Sequence, residues 1–303
     1  MNFTAHNVLQ LLANGAVLGA FYAAIGCSFS LILTVTGRFH MAWAMSFTVA
    51  AFLAASLTEN GVSFWLALLA AGIAAAGVGV AIERLIYRPL LAAGGAAGGA
   101  ASALLTVVVA SLGIVIVGQN LISLFWAPDG LGKSIANIDV KPVDLGGIAL
   151  TSLDITAFTI NVAMIAALFL ILRRTKLGRN IRATSVNADM ARVVGIDTKR
   201  IFLIVFGIGS FIAGVAAVPY AAKTVAVPEM GFIPVLYALL VAFLGGFRNN
   251  PLQTAAVGFG IGILEAEASL LVDLQYTQLV VYSVLFIFAA SRAFVGGGRT
   301  ALA

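Results

Sequence analysis

VLQLLANGAVLGAFYAAIGCSFSLILTV, residues 8–35, contains no charged side chain. Crossing about 30 Å of hydrocarbon takes roughly 20 apolar residues as a helix, and this run exceeds that. It is too long for the 7–15-residue core of a cleavable leader, and no Lys or Arg precedes it. It therefore reads as a retained transmembrane helix. Further apolar runs follow at 64–82, 103–126, 155–172, 201–219 and 277–290. Hydrophobic residues make up 61% of the 303-residue chain and charged residues 10%. A soluble domain carries roughly 25% charge to cover its outside, so a lipid-facing surface accounts for the excess.

The runs resolve into eight or nine spans, at about 8–34, 42–57, 63–84, 103–125, 155–173, 200–219, 231–246, 252–271 and 276–292. The expected fold class is all-α: a polytopic transmembrane helix bundle forming one domain over 1–303. The two short spans, 42–57 and 231–246, can be tilted or re-entrant, and an eight-span count needs one of them re-entrant. With the N-terminus outside and the C-terminus inside, 14 of the 17 Lys and Arg residues fall on the inner side. Only Lys133, Lys141 and Lys223 lie outside, which satisfies the positive-inside rule. The same distribution assigns the net charge of +5 to membrane orientation and not to nucleic acid.

Between spans, residues 91–101 are almost all Gly and Ala and follow Pro89, so they read as a flexible inner linker. Residues 127–154 form the long external loop. Alternation around 135–143 and the Gly146-Gly147 pair suggest a small hairpin, either a partner contact or a plain connector. Gly15 with Gly19, and Gly258 with Gly262, are spaced four apart, which lets membrane helices approach closely.

Residues 173–200 hold eight of the 17 basic side chains. Lipid anchoring explains Arg173, Arg174, Lys176 and Arg179, but not SVNADMARVVGI at 185–196. Ser185 or Asn187 can cap a helix there, with Asp189 near its positive end, Arg192 near its negative end and Gly195 as its stop. Ala188, Ala191, Val194 and Gly195 share one face, and Met190 pairs with Val194. Two turns of helix are unstable alone, so this segment needs the membrane surface or a partner groove.

LGRNIRATSVNADMARVVGIDTKRI, residues 177–201, resembles the cytoplasmic coupling loop of ABC-importer permeases, and more narrowly of the LivH-like permeases of branched-chain amino-acid importers. The likeness extends along most of the chain. It includes NGAVLGAFYAAIG (14–26), IERLIYRPL (82–90), GIVIVGQNLISL (113–124), and Gly231-Phe232 with Leu244-Gly245-Gly246. The resemblance implies a bacterial inner-membrane importer. An external binding protein delivers solute to two permease subunits, this chain and a LivM-like paralogue or a second copy. Two ATPase subunits, which bind ATP and Mg, dock on the coupling segment formed by Ser185, Asn187, Ala188, Met190, Ala191, Val194 and Gly195. No cofactor is expected in this chain. Departures from the family occur at His40-Met41-Ala42-Trp43, at Tyr237 where relatives commonly carry Lys, and at Phe247–Pro251. They leave the solute open among branched-chain amino acids and related small compounds.

Polar groups at membrane depth are costly and point to function. The candidate pathway residues are Asn14, Tyr22, Gln119, Asn120, Tyr237 and Glu265. Gln119 and Asn120 can equally bond between helices. Glu265 can hold a ligand ammonium or pair with Lys223, and Glu267 is expected to face external water. Asn14 and Tyr22, eight apart on the first helix, are expected to share a pathway-lining face. His40 is expected to be structural. Gly132-Lys133-Ser134 resembles the end of a phosphate-binding loop, but Ala127 stands where its first Gly belongs, so ATP binding is not expected. Two His and one Cys make no metal-ligand set. The alternative class is a self-sufficient secondary transporter or channel, which has no use for a coupling segment.

Overall fold

A computed structural model describes residues 5–94, 99–128, 130–245 and 251–270, with 272, 276, 277, 279, 282 and 283. The regular structure of the described part is helical apart from one small hairpin. The helices are α1 (Ala5–Thr36), α2 (Trp43–Glu59), α3 (Phe64–Ala81), α4 (Arg88–Gly94), α5 (Gly99–Phe125), α6 (Ser152–Arg174), α7 (Lys176–Val186), α8 (Ala188–Val193), α9 (Thr198–Lys223), α10 (Phe232–Leu244) and α11 (Pro251–Ala268). The expected span at 276–292 lies almost wholly outside the described residues.

Among the described residues, five helical stretches are long and apolar enough to cross a membrane: Val8–Thr36, Phe64–Ala93, Leu104–Phe125, Ser152–Arg174 and Thr198–Lys223. At 1.5 Å per residue, the 17 residues of α2 and the 13 of α10 span only about 26 and 20 Å. Both are shorter than the hydrocarbon core. They can be short because they lie inside the bundle. Trp43, Phe47 and Phe52 of α2 and Tyr237, Ala238 and Val241 of α10 are almost fully buried. Lipid contact falls to the outer helices, where Trp65, Leu66, Leu69 and Ile73 of α3 and Leu105, Val109 and Ile116 of α5 are exposed.

Small residues set the tightest crossing. α1 packs antiparallel on α11, with Gly15 against Ile263, Gly19 against Phe259, and Gly262 against Gly19. A Cβ on Gly262 would sit 2.2 Å from the Gly19 nitrogen. The two glycine pairs that the sequence singled out thus face each other across one interface.

The inner linker expected at 91–101 is corrected where it is described: 91–94 and 99–101 are helical, and 95–98 lie outside the described residues. α3 runs through a π-helical turn, Ile82–Tyr87, straight into α4, so helix persists through Pro89 to Gly94. The π turn shifts the hydrogen-bond register, and Pro89 becomes the second residue of the next segment, where a missing N–H costs least. The expected hairpin exists, but further along the chain. Strands β1 (Pro142–Asp144) and β2 (Ala149–Thr151) pair antiparallel. The Leu145 N–H donates to the Ile148 carbonyl at 3.0 Å. Gly146 and Gly147 have φ of 70° and 98°, as a two-residue turn between twisted strands requires. Thr151 then caps α6 in a reciprocal capping box with Asp154.

The helices alternate in direction, which separates two ends. One carries the hairpin, Asp154, Lys133 and Lys223. Contacts across it include Gln10 with the Ala149 backbone and Lys133 with Glu59 at 2.7 Å. The other carries Arg38, Glu83, Arg88, α7 and α8.

Candidate functional site

Three of the candidate pathway residues converge midway through the bundle. Tyr22 of α1 donates its hydroxyl to Glu265 Oε2 of α11 at 2.8 Å. The Tyr22 ring stacks on Tyr237 of α10, with centroids 4.2 Å apart and planes 11° apart. Among the described residues Glu265 has no cationic partner, and the buried Tyr237 hydroxyl lies beside Tyr22 and Glu265 without a well-formed hydrogen bond to either. A half-buried carboxylate held by a phenol, beside a second phenol and its aromatic ring, can accept an ammonium group and pack an aliphatic chain.

Asn14 is placed elsewhere. Eight residues at 100° each leave it about 80° around α1 from Tyr22, so the expected common face does not form. Asn14 instead lines a cavity between α1, α6 and α9, with Phe21, Asp154, Asn161, Tyr220 and Lys223. Lys223 pairs with Asp154 and not with Glu265. Gln119 and Asn120 lie apart from both groups. They sit on α5 at the edge of the bundle, where Asn120 is exposed and bonds the Ile116 carbonyl of its own helix at 2.8 Å. Glu267 also differs from expectation, because its Oε1 is buried without a partner among the described residues.

The coupling segment is built differently from its expected form. Residues 176–186 are themselves a helix, α7, capped by Thr175, whose hydroxyl accepts from the Gly178 N–H at 3.0 Å. A Cβ on Gly178 would come within 2.3 Å of the Ile171 and Leu172 carbonyls, so the corner between α6 and α7 needs Gly. Asn187, not Ser185, caps α8; its Oδ1 accepts from the Asp189 and Met190 N–H groups at 2.9 and 3.0 Å. Ser185 belongs to α7 and donates to the Arg182 carbonyl. Gly195 ends α8 with φ of 87°. The proposed single face splits in two. Ala191 is buried against the bundle and Ala188 is half-buried, whereas Met190 and Val194 point outward with Val186 and Val193. Val193 is 82% exposed.

Behind this segment lies a charge cluster whose members come from separate parts of the chain. Glu83, on the π turn, is fully buried and pairs with Arg38 and with Arg88, the latter at 3.4 Å. Arg88 also donates to the Lys199 carbonyl at the start of α9, and Arg38 lies over the Phe202 ring. His40 Nδ1 bonds the Tyr87 hydroxyl at 2.9 Å, which agrees with a structural role. The available signal was an acid followed by Arg84 and Arg88 in IERLIYRPL, at the end of an apolar span.

Residues 11–290 match the family described as branched-chain amino acid transport system / permease component. BraD of Pseudomonas aeruginosa, a high-affinity branched-chain amino acid transport system permease protein, is 26% identical over 302 residues, covering 95% of this chain and 94% of that one. LivH of Escherichia coli K12, of the same description, is 27% identical over 292 residues, 92% of each chain. The D-allose transport system permease protein AlsC of Escherichia coli K12 is 34% identical over 140 residues, 44% of this chain and 42% of that one. With its membrane-length helices and a family match spanning most of its length, the chain belongs to the permease components of branched-chain amino acid transport systems.

Proposed function

We propose that this chain is the solute-conducting, non-hydrolysing subunit of an ATP-driven importer for branched-chain amino acids in the bacterial inner membrane. The observation that carries the reading is the family match over residues 11–290, together with the outward apolar patch on α7 and α8. Val186, Met190, Val193 and Val194 present apolar surface at the basic end of the bundle. Eleven Lys and Arg residues lie at that end among the described residues, against Lys133, Lys141 and Lys223 at the other. The positive-inside rule then sets the N-terminus outside and the patch in the cytoplasm. Partner ATPase subunits, which hold ATP and Mg, cover the patch. A second permease subunit completes the path, and an external binding protein loads it. Closure of the ATPases moves α8, and with it the start of α9, as a rigid lever.

Glu265 supports the amino-acid reading, since an uncompensated carboxylate inside a membrane bundle suits an ammonium-bearing solute. The test is co-purification of the assembled importer carrying Met190→Asp with Val194→Asp. These outward positions leave the bundle packing untouched. Loss of the ATPase subunits with normal membrane insertion is the expected result. Retention of the ATPases, or solute movement by this chain alone along an ion gradient, would overturn it.

A further inference from the structure

The cavity between α1, α6 and α9 has a volume of about 310 Å³. Its rim is the ion pair of Asp154, third residue of α6, with Lys223, last residue of α9. Lys223 is 37% exposed and Asp154 19%, so both charges remain reachable from outside. Asn161 lies seven residues beyond Asp154, about 10 Å deeper on the same face of α6. It is 1% exposed, its Nδ2 donates to the Ala157 carbonyl at 2.8 Å, and its Oδ1 has no partner. Val17, Leu18 and Pro219 supply apolar wall. The floor is Phe21 stacked on Tyr220, with centroids 4.9 Å apart and planes 9° apart. Phe21 also meets the Tyr22 ring, with centroids 5.7 Å apart, so this stacked pair borders the Tyr22–Tyr237–Glu265 cluster.

A buried acceptor without a donor is expensive to keep. Its presence beyond a reachable ion pair marks a place for a ligand with both an ammonium and an anionic group. We propose that the cavity is an outer receiving site for a zwitterionic aliphatic amino acid. Asp154 takes the ammonium and Lys223 the carboxylate. Asn161 Oδ1 is the next acceptor for the ammonium on the way in, and the Phe21–Tyr220 stack closes the site from Glu265. The head group of an α-amino acid places its two charges antiparallel to the Asp154–Lys223 pair, so each charge keeps an opposite neighbour. This inference deepens the function proposed above and rests on it.

The experiment is equilibrium binding of labelled L-leucine to the assembled importer in nanodiscs without ATP, beside uptake by the same complexes in vesicles. Lys223→Gln and Asn161→Leu are each expected to weaken leucine binding at least tenfold, and Lys223→Arg to restore it. Ala157→Leu fills the cavity without removing a charged or hydrogen-bonding side chain and is expected to match them. Leucinamide, which lacks the carboxylate, should bind wild type at least tenfold more weakly than leucine, and Lys223→Gln should abolish that preference. Wild-type leucine binding in Lys223→Gln and Ala157→Leu, with binding lost in Glu265→Gln, overturns the receiving site and leaves the importer reading intact. A wild-type complex that takes up a different solute and no leucine overturns both.

Discussion

Removing the buried carboxylate of Glu83 is expected to cost this fold more than almost any other single charge change. The side chain is fully buried between Arg38, 13% exposed, and Arg88, 28% exposed. At 3.4 Å from Arg88 and an effective dielectric of about 20, the gross attraction is about 5 kcal/mol. Desolvation offsets much of that, so the pairing adds little net stability while both partners are present. Removing only the acid is different. Glu83→Gln leaves two guanidiniums facing each other with no countercharge, and stranding a buried charge costs about 3–5 kcal/mol. Arg38→Met leaves Glu83 with Arg88 and is expected to cost less, about 1.5–3 kcal/mol, as for a lost charged hydrogen bond. Once Glu83 is neutral, removing Arg38 relieves repulsion. The double variant should therefore be no less stable than Glu83→Gln, with a coupling energy of about 2 kcal/mol or more. Unfolding in mixed detergent micelles, followed by the fluorescence of buried Trp43, measures all three. A cost below about 1 kcal/mol for Glu83→Gln, or single effects that add within about 0.5 kcal/mol, would refute the reasoning.

Two further outcomes follow from the packing. Burial, and after it the charge of Arg38, pushes His40 from an ordinary 6.5 down to about 3. The folded state holds the ring neutral, so the unfolded chain binds the extra proton. Stability is full above pH 6.5 and falls by about 1.4 kcal/mol per unit as the pH drops from 6.5 toward 3; His40→Asn should lose that slope in unfolding titrations at pH 7.5 and 5.5, and an unchanged slope counts against it. Gly262→Ala forces a Cβ to within 2.2–2.8 Å of backbone atoms of Gly19 and Gly15, where no side chain can yield, and should cost about 2–3 kcal/mol. Gly260→Ala, on the same helix but facing open space, should be neutral or up to about 1 kcal/mol stabilising; equal effects at both positions would show that the α1–α11 contact is not the constraint.

Much of the architecture was readable from one-dimensional features because a bilayer permits few solutions. Long uncharged runs had to be helices, since no other isolated segment satisfies its own backbone in lipid. The spacing of Gly15, Gly19, Gly258 and Gly262 announced close contact, and Gly146-Gly147 announced a tight turn. Asn187 and Gly195 bounded a short helix in the right place. What needed three dimensions was rotation and adjacency. Asn14 and Tyr22 look like partners in the chain, yet 80° of helical rotation sends one toward α6 and the other toward α11. Ala191 and Val194 share a short segment, but only Val194 faces outward, because the cap at Asn187 aims α8 so that Ala191 packs on the bundle. The π turn carried helix through Pro89 where the sequence signalled a stop. Glu83, Arg38 and the Lys199 carbonyl come from separate parts of the chain, as do Asp154, Asn161 and Lys223. Hydrophobic periodicity states that a segment is buried. Which side chains then meet depends on how each helix is rotated, and that is settled by close packing against neighbours distant in sequence.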